Sequence, residues 1–506
     1  MELCPEGYTE ADVARRVTSF HILDDTDNDC RDPFQHDCDR ILYSPEFLAL
    51  AGKTQVVAAH DMGSFHNRLT HSLKVAQMGR RMTQLLTVKA QREFGKTARV
   101  VGPSADLVEA ACLLHDVGHP AFGHIGEEAL CDAVDEANGK QLHQDGFQAN
   151  AQNFRIAMNL SCRAGLLTDG ARGLNLTAAT LDSTLKYPWR RDPRPGHEGT
   201  RHWCVYGQTE QVALTQILEK RGAPIRDHHD LEPPGAGEAV TVRRPVEEQI
   251  MDWADEISYV CHDLEDFTKA GLIPLDDILA ASYAYAGNVE VQEGFTPTMA
   301  GVSGFWDHLT QNFHPAEVIK GKSNPDRIRD ALCYLADQVL NVSKQGKNNT
   351  YARASSMFST SALLRQFLGA ASLWPKDGWD GVQALTGYNA RLHIDPAVRD
   401  LASVLHEMVV FYVIRRPGLA TQQSGQARII KELYEAFVDK KKGYSLLSDY
   451  WRDIKGNLML DLKLDEGVAR IRVAADVVSS MGEDDAVRMY RRLTGIDYGN
   501  VTDVVV

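Results

Sequence analysis

Residues 104–128, SADLVEAACLLHDVGHPAFGHIGEE, constrain this chain more than any other stretch. Pro103 and Ser104 mark a helix entry, with Ser104 as N-cap and Asp106 where the helix dipole favours an anion. Leu107, Ala111 and Leu114 recur at i, i+4 and i+7, which predicts a helix with a buried stripe ending at Gly118, ahead of Pro120. Such a helix delivers His115 and Asp116 at its last turn, and His119, His124 and Glu127 follow directly. A turn beyond a buried helix has no structural need of three histidines and two carboxylates. One buried histidine is ordinarily a satisfied core residue, whereas a cluster points to a site.

Composition narrows the surroundings of that site. At 506 residues with 43% apolar content, the chain can bury a substantial core. Its formal charge of −15 argues against general affinity for nucleic acid. Nine cysteines without a C-x-x-C pair read as reduced thiols. The N-terminus lacks a signal pattern and no apolar run approaches membrane-spanning length, so the expectation is a soluble cytoplasmic protein. Cys30, His36 and Cys38 fit no standard zinc spacing and lack a fourth ligand.

Helical periodicity runs through most of the chain. His66–Ala90 reads as a helix with Leu69, Leu73 and Ala76 on one stripe, and His71, Val75, Met78 and Met82 on another. Arg68 lies one turn before His71, and a cation aimed at a buried histidine calls for an anion nearby. Asn150–Leu160 reads as a helix, and Leu174–Tyr187 carries an apolar pattern ending at Lys186 and Tyr187. Residues 189–245 are rich in Pro, Gly, Arg and His and read as a surface excursion around one helix, Thr209–Lys220, with His228 and His229 as loop residues. Pro245 then opens a helix in which Asp255, Tyr259 and Asp263, spaced by four, share a face. Asp255 has Trp253, Ala254 and Ile257 as neighbours, and a part-buried carboxylate wants a cation. Helices continue to the end, among them Ala397–Ile414 and Ser424–Lys442, so the architecture is mainly α.

His71, His115, Asp116 and Asp255 offer two imidazole nitrogens and two carboxylate oxygens, a set that suits one divalent transition ion. Such an ion neutralises phosphoryl oxygens and acidifies water, so H…HD…D on successive helices is a phosphohydrolase layout.

The pattern resembles the HD superfamily, and within it the deoxyguanosine-triphosphate triphosphohydrolases. The matching stretches are KTQVV (53–57), HNRLTHS (66–72), LVEAACLLHDVGHPAFGHIGEEAL (107–130), NAQNFRI (150–156), LNLTAATLDSTLKYP (174–188) and WADEISYVCHDLED (253–266). The resemblance implies a helical HD core over 40–290 with its insertion at about 189–245. An N-terminal arm over 1–39 precedes it, and further helices over 291–506 pack on it. It also implies that His71, His115, Asp116 and Asp255 hold one metal, Mn²⁺ before Mg²⁺ or Co²⁺. His124, with Glu127 beside it, falls on the acid/base position, and His119 joins them as a catalytic candidate. Gln55 and Asp263 match residues that hold the sugar 3′-hydroxyl, Tyr259 one packed beneath the deoxyribose, and Arg68, Lys186 and Tyr187 triphosphate contacts. The implied reaction releases tripolyphosphate from dGTP or another dNTP. A homohexamer and single-stranded DNA binding are implied in the same way.

Three departures stand out. Ala149 occupies a position where some members carry histidine; either His143 substitutes for it or the role is absent. FLAL (47–50) lacks the arginines often found there. His119 replaces an asparagine common in the closest dGTP-specific enzymes, which leaves base preference open. An HD phosphodiesterase with two metals, a guanosine-tetraphosphate hydrolase and a non-catalytic nucleotide sensor are the alternatives. The second is expected to carry an acidic pair after the HD, where this chain has VGHPAF.

Overall fold

The computed structural model describes residues 4–15, 30–55, 66–95, 99–139, 145–162, 172–191, 202–223, 244–275, 277–278, 299–313, 322–343, 361–381 and 383–497. His143, His228 and His229 lie outside them. In chain order the principal elements are α1 (Pro33–Leu42), α2 (Arg68–Phe94), α3 (Ala105–Leu114), α4 (Gly123–Ala137) and α5 (Ala149–Arg155). They are followed by α6 (Ala178–Asp182), α7 (Gln211–Lys220), α8 (Val246–Lys269), α9 (Met299–Asn312) and α10 (Asn324–Ser343). Next come β1 (Ala371–Pro375), β2 (Ala390–Ile394), α11 (Pro396–Val409), α12 (Pro417–Val438), α13 (Asp449–Leu460), α14 (Glu466–Ser480) and α15 (Glu483–Leu493). The one sheet among the described residues is the antiparallel pair β1–β2, registered from Ala371↔Ile394 to Pro375↔Ala390. The fold is mainly α.

Local chemistry starts the helices where the side chains dictate. Asp32 and Gln35 form a capping box ahead of Pro33, Asn67 accepts from the Thr70 amide at 2.9 Å, and Ser104 accepts from the Leu107 amide at 3.3 Å. Pro245 is the N-cap of α8 itself, one place earlier than a proline at the first helical position. The expected Asn150–Leu160 helix is α5 continued by a π-helical turn over Ile156–Leu160.

The centre is α2, α3 and α8, packed against one another, with α1 on α3. Gly79 lets α2 and α3 cross closely, because a Cβ there would lie 2.7 Å from Cys112 Sγ. The face of α2 turned inward carries Arg68, His71, Val75 and Met82; of the first expected stripe Ala76 is buried, Leu69 part-buried and Leu73 44% exposed, and Met78 of the second is part-buried. Each fully buried aliphatic there contributes about 1.5–3 kcal/mol. The apolar core is continuous from this trio into the C-terminal helices: α11 packs on α8, α12 on α4, and α14 and α15 on α12.

A candidate metal centre and the groups around it

The helix that leads into the site ends at Leu114, four residues before Gly118. Residues 115–118 are a turn held from outside. Asn153 Nδ2 donates to the His115 carbonyl, and Asn153 Oδ1 accepts from the Gly118 amide at 2.6 Å. That cross-brace replaces the next helical turn, which is why the expected end point is late. Gly118 is required by proximity, since a Cβ there would lie 2.5 Å from both the Ala149 oxygen and the Asn153 nitrogen.

The Cys112 carbonyl sets the tautomer of His115. Its Nδ1 lies 2.6 Å from the Cys112 carbonyl oxygen and donates to it, so in the neutral ring Nε2 carries the lone pair. Nε2 is buried without a hydrogen-bond partner, 3.3 Å from Asp255 Oδ1. His71 Nε2 lies 2.9 Å from the same oxygen. Ligand atoms of His71, His115 and Asp255 all fall within 4.8 Å of one another. A lone pair facing a carboxylate is unfavourable without a cation between them, and a proton fills that role where no ion does. Burial works to lower the His115 pKa, yet Asp116 and Asp255 raise it above its ordinary value. The donor set fits a divalent ion.

Asp116, the fourth expected ligand, sits beside this group with its oxygens already shared. Oδ2 accepts from Arg68 NH1 at 2.8 Å, and Oδ1 is 3.1 Å from His119 Nδ1 and 3.6 Å from His115 Nε2. It is the anion that the buried Arg68 calls for. Burial tends to raise its carboxyl, but His115, Arg68 and His119 hold it well below the carboxylate range. Asp255 finds its cation in Lys186, whose Nζ is 2.5 Å from Oδ2 and 3.3 Å from Asp252.

On the other side of Asp116, His119, His124 and Glu127 also bring ligand-type atoms within 4.8 Å of one another. His119 is buried, with its ring edge-on to that of His124 at 5.9 Å. The His124 side chain is 68% exposed, and its Nδ1 is 3.4 Å from Glu127 Oε2. Glu127 Oε1 accepts from the Ala149 amide at 2.8 Å and from Gln148 at 3.0 Å. Burial raises the Glu127 carboxyl, but the His124 bond, the two histidine charges and the Ala149 amide bring it down to about 2.

The expected substrate contacts fall into two sets. Arg68 keeps Nε and NH2 buried and unpartnered, Gln55 keeps Oε1 so, and Asp263 keeps Oδ2 so. These orphaned polar atoms await a ligand or solvent. Asp263 is pushed well above the carboxylate range by burial. Tyr259, its hydroxyl raised by burial and by Asp263, tilts against the His406 ring at 6.1 Å. Lys186 and Tyr187 are already engaged: the first by its two aspartates, the second edge-on to Trp189 at 5.6 Å and stacked on His202 at 5.1 Å.

Several residues near the site carry no expectation from sequence. His66 Nδ1 bonds Asp266 at 2.6 Å and its ring stacks on His262 at 4.8 Å, while His262 meets His71 edge-on at 6.4 Å. Lys53 is buried and donates to the His119 oxygen at 2.5 Å and the Ser479 oxygen at 2.9 Å. Asn153 was legible only as one polar residue in NAQNFRI. His406 gave no signal, because its helix reads as an ordinary amphipathic one.

Residues 68–155 match the HD domain, and residues 392–492 match a phosphohydrolase-associated domain. A deoxyguanosinetriphosphate triphosphohydrolase-like protein of Streptomyces coelicolor is 31% identical over 97% of this chain and 98% of its own length. Proteins of the same description from Corynebacterium efficiens and Bifidobacterium longum are 29% and 26% identical, over 97% and 96% of this chain and 98% and 87% of their own lengths.

Proposed function

Because the chain belongs to the HD-domain family of deoxyguanosinetriphosphate triphosphohydrolase-like proteins, we propose that it hydrolyses deoxynucleoside triphosphates, dGTP among them, to deoxynucleoside and tripolyphosphate. The observation that carries this reading is the buried, unpartnered His115 Nε2 facing the Asp255 carboxylate, with the Nε and NH2 of Arg68 also buried and unpartnered. His71, His115, Asp116 and Asp255 would hold one divalent ion, Mn²⁺ first, with Mg²⁺ or Co²⁺ as substitutes. Such an ion supplies charge neutralisation at phosphoryl oxygens and lowers the pKa of water.

The chain's own residues do the rest. Water adds at the α-phosphorus and releases a proton to solvent, the bond to the 5′-oxygen breaks, and that oxygen leaves with a proton that the acid afterwards regains from solvent. His124 donates the proton, and Glu127, ionised and fixed by the Ala149 amide, orients its imidazole. Arg68 receives phosphoryl oxygens through its two free nitrogens, and Lys186 moves from its aspartates toward the triphosphate. Tyr259 walls off the 2′ position, while Gln55 and Asp263 take the 3′-hydroxyl.

The group His119, His124 and Glu127 favours one competing reading, a two-ion phosphodiesterase. The deciding experiment incubates the pure chain with each dNTP, with GTP and with a cyclic dinucleotide, with and without divalent metal, and follows ³¹P NMR and bound metal. Tripolyphosphate from dNTPs at one ion per chain is the expected result. Two ions per chain, or phosphodiester cleavage without tripolyphosphate, would replace it. The hexamer belongs to this reading and is checked by light scattering, and single-stranded DNA binding by gel shift.

A further inference from the structure

The C-terminal region reaches the site through one carboxylate. Glu483 is the first residue of α15 and is buried. Its Oε1 accepts from the Thr54 amide at 2.8 Å and from the Phe122 amide at 3.2 Å, and its Oε2 accepts from Thr54 Oγ1 at 2.8 Å. Thr54 immediately precedes Gln55, and Phe122 stands two residues before His124. Lys53 makes a parallel tie, joining the end of α14 at the Ser479 oxygen to the His119 oxygen.

We propose that Glu483 is a positioning residue for the hydrolysis, holding the Gln55 loop and the His124 helix in fixed register. This rests on the triphosphohydrolase reading and extends it. The 3′-hydroxyl and the 5′-oxygen belong to one small sugar. The group that reads the first and the group that protonates the second work together only if their separation is held. They come from different segments, and Glu483 is a side chain bonded to both.

Each segment needs an outside hold. Thr54 belongs to no helix or strand and pairs only through an isolated bridge to Asn67. Phe122 is a non-glycine residue at φ 66°, in the left-handed region, and it caps α4 without any side-chain hydrogen bond. Such a conformation persists where surrounding contacts impose it, and the carboxylate on the Phe122 amide is one of them. The backbones meet at Gly482 and Gly52, where a Cβ on Gly482 would sit 3.5 Å from the Gly52 oxygen.

The test uses the full-length, metal-loaded chain with a dNTP and its 2′,3′-dideoxy analogue. For Glu483→Ala, kcat/KM on the dNTP should fall by up to the order of 10²-fold, a loss that a misplacement of about 1 Å remote from the chemistry can cause. The dideoxy analogue, which has no 3′-hydroxyl to misplace, should lose less, so the preference for the 3′-hydroxyl shrinks while bound metal is unchanged. Glu483→Gln keeps an acceptor for both amides and should restore most of that preference. Thr54→Val removes only the hydroxyl donor and should shift it the same way by a smaller factor, even where Glu483→Ala fails to fold. An unaltered preference in Glu483→Ala and Thr54→Val, or parallel loss on both substrates tracking a lowered Tm, overturns the assignment. Absence of dNTP turnover in the unaltered chain defeats the hydrolysis reading instead. The positioning claim is then read by hydrogen exchange. Faster exchange in Glu483→Ala at peptides carrying Gln55 and His124, with α14 unchanged, supports it, and unchanged exchange there overturns it.

Discussion

A histidine with one ring nitrogen committed to a backbone carbonyl keeps, when neutral, its lone pair on the other, and His115 is in that position. The pair His124–Glu127 is different, because the imidazole is open to solvent and only the carboxylate is fixed. If His124 is the acid, His124→Ala should retain metal and dNTP binding yet lose about 10²–10⁴ in kcat. Glu127→Ala should lose less, and the double variant little more than His124→Ala alone, since the two act as one unit. Steady-state kinetics beside a metal assay check this; near-normal turnover in His124→Ala would pass the role to His119 or solvent. At the sugar, Tyr259→Ala should narrow the gap between dGTP and GTP. A hydroxyl with neither room nor partner costs about 1–3 kcal/mol, tenfold to hundredfold in kcat/KM. Equal turnover of both nucleotides by the unaltered chain would contradict the wall.

Between elements, the decisive contact is that of α5 on the turn after α3. Gly118→Ala places a methyl against the Ala149 oxygen and the Asn153 nitrogen. The expected outcome is a loss of about 1–3 kcal/mol of stability with weakened metal retention, read by denaturant titration and metal analysis. The sequence made the existence of most helices legible, because their periodicity and caps are local facts. It made His71, His115 and Asp255 legible as candidates because ligand-type residues on apolar stripes are conspicuous. The end of α3 was not legible, because it is decided by Asn153 from another segment. Nor was the solvent exposure of Leu73, which follows from α2 turning its His71 face toward α3 and α8. Glu483 and His406 were beyond reach for the same reason: their partners lie well over a hundred residues away, and a lone Glu or His on an amphipathic helix carries no mark.

Across the whole molecule, buried charges join the two halves. Arg155 is enclosed by Asp476 from α14, at 2.7 Å, and Glu210, at 2.9 Å. Lys53 is the more telling case for solution behaviour. Burial, aided by the nearby Arg68 charge, pushes its ammonium down from 10.5 to about 7. The unfolded chain therefore binds more protons between about pH 7 and pH 10.5, and this group's contribution to stability rises with pH through that window. Lys53→Met should flatten that rise. It should also lower stability near neutrality by about 1–3 kcal/mol for each carbonyl left unpaired, those of His119 and Ser479. Urea midpoints measured from pH 6 to pH 10 check both.

The ties from Lys53 and Thr54 to Ser479 and Glu483 span 426 and 429 residues. On a ribosome moving at about 5–20 residues per second, the HD turn emerges roughly 20–70 s before its last two braces exist. A nascent chain thus carries every proposed ligand and the proposed acid long before it can register them. On the proposed reading, the hydrolase would in this way stay idle until its own synthesis is nearly finished, and chains released early would carry the HD turn without the braces that register it.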